Sequence, residues 1–448
     1  MKYFLLLVFT TIFIGCASTQ KEKNIELVKK DTNLTIKQTH IYDLLNIPQN
    51  PSYYLNGRNT LDSFYEIQNR YEKYYFNIWN IEIPPDNIET VTWPFFSYKY
   101  GNSYGENFQL LRESFFEDMY NDANFDNFSS VNKRALTLKE TNIRAFPTIK
   151  PLLRDPSLAG EGFPFDYLQN STVHANKPIF ISHYSKDKKW AYAFTSFTSG
   201  WIKSDEFVYM GIKESELCKA AKQIKITKEG VPIYDEYGTF MFYSKIGMMF
   251  SLISEDDKQF TVLTVSSSAN SQPLYRKSTI SKSVATDKTL KLNNDNLSTI
   301  IHEVMKTNYG WGGIYGQRDC SSMLRDLFSP FGIWLPRNSY QQSKRGLVIS
   351  LEGMSSEEKI QTIKDKAIPF ETLLYKKGHI VLYVGTFEED IVVFHNVWGI
   401  KTKKDSVEGR VVIGKPIFST LKLGRFQKNY DEEAEILKNL KSMNILTQ

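Results

Sequence analysis

Cys320 follows an aspartate and precedes two serines. It stands downstream of the glycine-rich run Tyr309-Gly310-Trp311-Gly312-Gly313, and two histidines on β-rich segments, His379 and His395, come later in the chain. A cysteine followed by histidines on separate elements is the order that a thiol nucleophile and its imidazole base require, because the two must meet in space rather than in sequence. The chemistry implied is attack of sulfur on a carbonyl carbon, with the imidazole taking and returning the proton. Each residue also has a plainer reading. A cysteine is commonly a small buried hydrophobe, and a strand histidine is commonly a hydrogen-bonded structural residue.

The elements that must position these groups are legible in the apolar spacing. Leu297, Ile300, Ile301, Val304 and Met305 repeat at helical intervals, predicting a helix that Ser298 and Thr299 open and Gly310 ends. Met323, Leu324, Leu327 and Phe328 predict a second helix starting at Cys320, with Asp319 as N-cap and Pro330 as stop. At a helix start the dipole lowers a thiol's pKa, and the free backbone N–H groups can serve an oxyanion. His379, Val381 and Tyr383 alternate with Ile380, Leu382 and Val384 in a predicted strand. A polar turn over 386–390 joins it to a second strand over 391–395, so two neighbouring strands can bring His379 and His395 side by side. Val411, Val412 and Ile413 supply a third strand.

The glycine turn, Asp319-Cys320-Ser321, Pro336-Arg337-Asn338-Ser339 and Gly378-His379 with its strand resemble the NlpC/P60 family of papain-like cysteine peptidases. The spacing agrees: 59 positions (379 minus 320) and 16 positions (395 minus 379) separate the three candidate catalytic residues. Ile143-Arg144-Ala145-Phe146-Pro147 and Gly200-Trp201-Ile202 look like parts of a bacterial SH3-type barrel, and Cys218 to Lys282 resemble a second. Short β-rich runs separated by turn residues fit both barrels. The resemblance implies an α+β multidomain chain: two small SH3-like β-barrels followed by a papain-like α+β NlpC/P60 catalytic domain. The expected boundaries are a clip-like segment at 40–129, barrels at 130–210 and 215–285, the catalytic domain at 292–425 and a C-terminal helical tail at 426–448.

What the resemblance implies for function is hydrolysis of the amide between γ-D-glutamate and a diamino acid in peptidoglycan stem peptides. Cys320 would be the nucleophile, His379 the base and His395 its orienter. Tyr309 would assist the oxyanion, Asp319 would bind a free peptide amine, and Ser321 and Ser339 would bind the D-glutamate carboxylate. Arg337 is an alternative carboxylate partner or a structural ion pair. With the first barrel as a wall, the groove is expected to close on one side and to favour short free peptides. Two other readings are an N-acetylmuramoyl-L-alanine amidase or acyltransferase on the same fold, and a non-enzymatic wall-binding lipoprotein.

Other features bound these readings. The 448 residues exceed what one core normally covers. A net charge of +5 permits attraction to an anionic polymer, but the basic residues form no nucleic-acid stripe. His302-Glu303 lacks the second histidine of a zinc-peptidase motif, since Lys306 stands there, and no metal or cofactor is expected. Lys2 and the apolar run Tyr3 to Ile14 read as a signal peptide ending in Gly15-Cys16-Ala17-Ser18, which looks like a lipobox. Residues 1–16 are the expected lipoprotein signal peptide, with Cys16 as the lipidated first residue of the mature chain, and 17–39 would be a tether. The expected location is the cell envelope, on the periplasmic face of the outer membrane if the cell is Gram-negative, with peptidoglycan or muropeptides as partner. Cys218 is expected to be a buried free thiol.

Replacing Cys16 by Ser should move the protein from the membrane fraction to a soluble or uncleaved form, since acyl chains supply the membrane affinity. An unchanged membrane fraction, with the mature N-terminus mapped elsewhere, would refute lipidation at Cys16.

Overall fold

The computed structural model describes residues 41–56 and 70–448. The leader, Cys16, the tether and the 57–69 part of the clip-like segment lie outside the described residues. Among the described residues no helix is long and apolar enough to cross a membrane.

Seven short strands form the first sheet: β1 (Lys133–Thr137), β2 (Thr141–Arg144), β3 (Gln169–Val173), β4 (Pro178–Tyr184), β5 (Trp190–Phe194), β6 (Ser199–Lys203) and β7 (Phe207–Tyr209). Their order is β3-β2-β6-β5-β4-β1-β7. Ala135, Ile143, Ile179, Ile181 and Ala193 fill its interior at 0% exposure. A helix, Ile212–Ala220, leads to the second barrel. That unit comprises β8 (Gln223–Ile226), the hairpin β9 (Pro232–Tyr234) with β10 (Phe240–Tyr243), β11 (Met249–Glu255), β12 (Gln259–Ser267), β13 (Pro273–Ser281) and β14 (Ala285–Thr286). Cys218 is a buried free thiol in the linking helix.

The N-terminal segment clips these units together through aromatic side chains with polar tips. Trp79 Nε1 donates to Ala135 O and Ile179 O, Tyr75 Oη to Asn176 O, and Tyr71 Oη to Gly247 O in the second barrel. At the segment's start the buried Asp43 carboxylate accepts from Thr420 N, Thr420 Oγ1 and Gly424 N of the C-terminal domain.

The C-terminal domain packs helices Asn294–Val304 and Cys320–Phe328 on one face of a six-stranded sheet. Its strands are β15 (Leu347–Ser350), β16 (Thr372–Lys376), β17 (His379–Phe387), β18 (Asp390–Lys404), β19 (Val407–Thr420) and β20 (Leu440–Ile445), in the order β15-β20-β16-β17-β18-β19. The first helix begins earlier than its serine and threonine suggest, because the Asn293 side chain caps it by accepting from Asn296 N. A larger correction concerns 426–448, expected as a helical tail. The segment holds one turn of helix, Ile436–Asn439, and then β20, which pairs with both β15 and β16. Leu440 and Met443 are buried against Leu374 and Val381, so tertiary packing overrides the local pattern. The catalytic-type domain therefore extends through 445.

The helix Cys320–Phe328 is buried at every position, charged residues included. Asp326 accepts from Arg318 Nε at 2.8 Å and Arg325 Nη2 at 3.1 Å, and His174 Nε2 of the first barrel lies 3.1 Å away. Arg318 in turn donates to Glu229 of the second barrel at 2.7 Å. Charges in a dry interior need such partners.

Removing residues 436–448 should leave β15 and β16 with unpaired facing edges and unfold the domain, rather than trimming a tail. Limited proteolysis and near-ultraviolet circular dichroism of the truncated chain would show it. A soluble truncated protein with native protection of 290–420 would contradict the assignment.

Candidate active site

Cys320 is the first residue of its helix, which opens with a capping box: Asp319 accepts from Ser322 N, and Ser322 Oγ accepts from Asp319 N. The glycine run before it crosses to the first barrel. Gly312 and Gly313 have φ of 58° and 84°, and a Cβ on them would lie 2.3 Å from Gln169 O and 2.2 Å from Thr172 Oγ1. Only glycine fits on both counts. The Trp311 indole N–H donates to Asp166 O of the same barrel.

The base side of the site is a chain of hydrogen bonds across three strands. His379 Nε2 lies 2.8 Å from His395 Nδ1, and His395 Nε2 lies 2.9 Å from Ser419 Oγ. Ser419 Oγ donates to Thr420 O, so it has no proton left and accepts from His395 Nε2–H. That fixes both tautomers: His395 Nδ1 accepts from His379 Nε2–H, and His379 Nδ1 is the basic nitrogen left for the thiol. The Ile380 backbone amide, next to His379 on the same strand, acts on the Cys320 thiol and favours its ionised form.

Asp319 is committed. It accepts from Arg337 Nη2 at 2.6 Å and Nη1 at 3.2 Å, and from Ser321 Oγ at 3.1 Å. Arg337 Nη1 also donates to Ser321 Oγ, and its Nε to Ser171 Oγ of the first barrel. Of the two roles open to Arg337, the structure shows the ion pair. Tyr309, Asp319, Cys320, Ser321 and Ser339 all line one cavity of about 980 Å³, with Gly378 beside the base.

The charge states differ from the expectation that the helix dipole lowers the thiol. Burial, with the Asp319 carboxylate next to it, pushes Cys320 up to about 12, and Arg337's charge is spent on Asp319. Burial pushes His379 down to about 3 and holds His395 well below the ordinary range. Burial therefore favours a neutral thiol and a neutral imidazole. Burial likewise raises Tyr309, whose hydroxyl keeps its proton and can donate to an oxyanion.

A thiol at a helix start, in a domain whose strand β17 begins with a histidine, is joined by four sequence matches between residues 5 and 411. Residues 306–411 match the NlpC/P60 family model. Upstream, 5–128 match the NLPC_P60 stabilising domain, N term, 151–203 an SH3 domain of SH3b1 type, and 216–257 an SH3 domain of SH3b2 type. The chain belongs to the NlpC/P60 family. An NlpC/P60 endopeptidase from Photobacterium damselae subsp. piscicida has a similar solved structure, with a TM-score of 0.77 at 22% identity, over 90% of this chain and 98% of that one. An NlpC/P60 family protein from Bacillus cereus ATCC 10987 is 14% identical over 70% of this chain and all of its own, with a TM-score of 0.47. No curated protein matches the chain.

Beyond the residues anticipated for an NlpC/P60 site, the structure adds Ser419, Asn396 and Ser171. Asn396 Nδ2 donates to Arg318 O at 2.7 Å, tying β18 to the residue before Asp319. Ser419 lies 24 positions after His395, and only the β18–β19 register, which pairs His395 with Ile417, brings it within reach.

If proton transfer accompanies attack, the acid limb of kcat/KM should fall well below the ordinary histidine value of 6.5, toward 3, because a depressed base stays neutral and competent down to its own pKa. Ser419→Ala, by releasing His395 from one tautomer, should lower kcat by about tenfold and shift that limb, while Ser419→Thr should retain both. An acid limb near 6.5, or no shift in Ser419→Ala, would contradict the relay.

Proposed function

We propose that this NlpC/P60 family protein is a cysteine peptidase of the cell wall, cleaving the amide between γ-D-glutamate and a diamino acid, diaminopimelate being the expected one, in peptidoglycan stem peptides. The observation that supports it is Cys320 at a capped helix start, lining a large cavity, in a domain that also holds the His379–His395 pair.

In this reading His379 Nδ1 takes the Cys320 proton as sulfur attacks the glutamyl carbonyl carbon. The oxyanion receives hydrogen bonds from the Cys320 N–H and the Tyr309 hydroxyl. His379 then returns the proton to the departing amine as the C–N bond breaks, leaving a thioester that water hydrolyses through the same base. His395 and Ser419 keep the imidazole in the working tautomer. Ser339 and, once its hydroxyl turns from Asp319, Ser321 offer donors to the D-glutamate carboxylate, while the Asp319–Arg337 ion pair holds Ser321 in place. The SH3 domains would contact the same polymer, and a lipid on Cys16 would hold the protein at the envelope.

Cys320→Ala should abolish release of the diamino acid fragment, a loss on the order of 10³-fold or more, with the fold intact. His379→Ala should lose more than His395→Asn, since the first deletes the base and the second only misorients it. Product masses from defined muropeptides decide the bond: an intact stem peptide would mean an amidase, and full turnover in Cys320→Ala would refute the proposal.

A further inference from the structure

The first barrel is not the whole wall of the cavity at Cys320. Besides the 194–199 stretch of that barrel, the lining takes in the segment Trp334 to Arg345 and Asp86, Thr90 and Trp93 of the N-terminal segment. At about 980 Å³ it stands at the upper end of the roughly 300–1,000 Å³ that small-ligand sites occupy, more than a short free peptide needs.

Its charges do not suit a free peptide amine. The acidic residues in the lining are Asp319 and Asp86, against Arg337, Lys344 and Arg345. Asp319 is spent on Arg337, and Asp86 is an exposed residue of the N-terminal segment. An ammonium group one residue before γ-D-glutamate would lose water without gaining a free carboxylate, whereas an acylated nitrogen carries no charge to desolvate. Other lining residues suit a hydroxyl-rich ligand. Trp93, 42% exposed, and the half-buried Tyr98 and Phe197 present ring surface. Asn170, Thr198 and Ser199 add amide and hydroxyl groups beside them. Sugar rings offer apolar C–H faces and polar edges, which such amphipathic walls match.

Resting on the peptidase reading, we propose that this part of the cavity is a subsite for an N-acetylated saccharide joined through an acyl link to the stem peptide, so that glycan-attached stems are the preferred substrate. The full-length protein should cleave a disaccharide-linked tripeptide about tenfold or more faster, in kcat/KM, than the same tripeptide with a free amine. Trp93→Ala and the cavity-filling Thr90→Trp, both at exposed positions, should each reduce that ratio about fivefold or more. Equal rates, a faster free tripeptide, or a ratio unmoved in both variants would overturn the subsite. Should neither compound be cleaved, the peptidase reading fails by itself, and calorimetry decides the subsite: tighter binding of the disaccharide-linked tripeptide supports it, and equal binding refutes it.

Discussion

The Cys320–Phe328 helix is buried at all nine of its positions, yet it carries Arg325 and Asp326, and its charges find partners beyond its own domain as well as within it. Asp326 draws on Arg318 and on His174 from the first barrel, and Arg318 on Glu229 from the second. Removing one member of such a cluster strands a charge in a dry interior, typically at about 3–5 kcal/mol. The barrels thereby become part of the catalytic domain's electrostatics. Their relative placement follows from where counter-charges are needed.

The same coupling shapes the site. Gly312 and Gly313 let the nucleophile loop touch β3, and Ser171 on β3 holds the guanidinium that holds Asp319. Burial raises the thiol and lowers both imidazoles, so these three groups favour their neutral forms beside the charged Asp319–Arg337 pair. A hydrogen-bond chain runs from Thr420 O through Ser419 and His395 to His379.

What the sequence made legible was local. The Asp319 cap, the helix at Cys320 and the hairpin carrying both histidines rest on contacts within a few residues, where spacing and side-chain type suffice. What it hid depends on register and distant pairing. Ser419 meets His395 only through a pairing 24 residues long in sequence, and Asp319 meets Arg337 across a loop. β20 looked helical because Glu432 to Lys441 suits a helix locally, while the burial of Leu440 and Met443 decides otherwise. The direction of the thiol shift was missed for a related reason: a helix start is visible in sequence, but full enclosure is not.

Asp43 binds the backbone and hydroxyl of Thr420, whose carbonyl in turn receives the Ser419 proton. Seating of the segment 41–55 and the tautomer of His395 thus draw on one free energy. Whatever loosens that segment loosens the imidazole, and by reciprocity a ligand that needs the ordered imidazole tightens the segment. Over 370 residues of chain separate the two ends of this linkage (420 minus 43 is 377), yet a single threonine spans it.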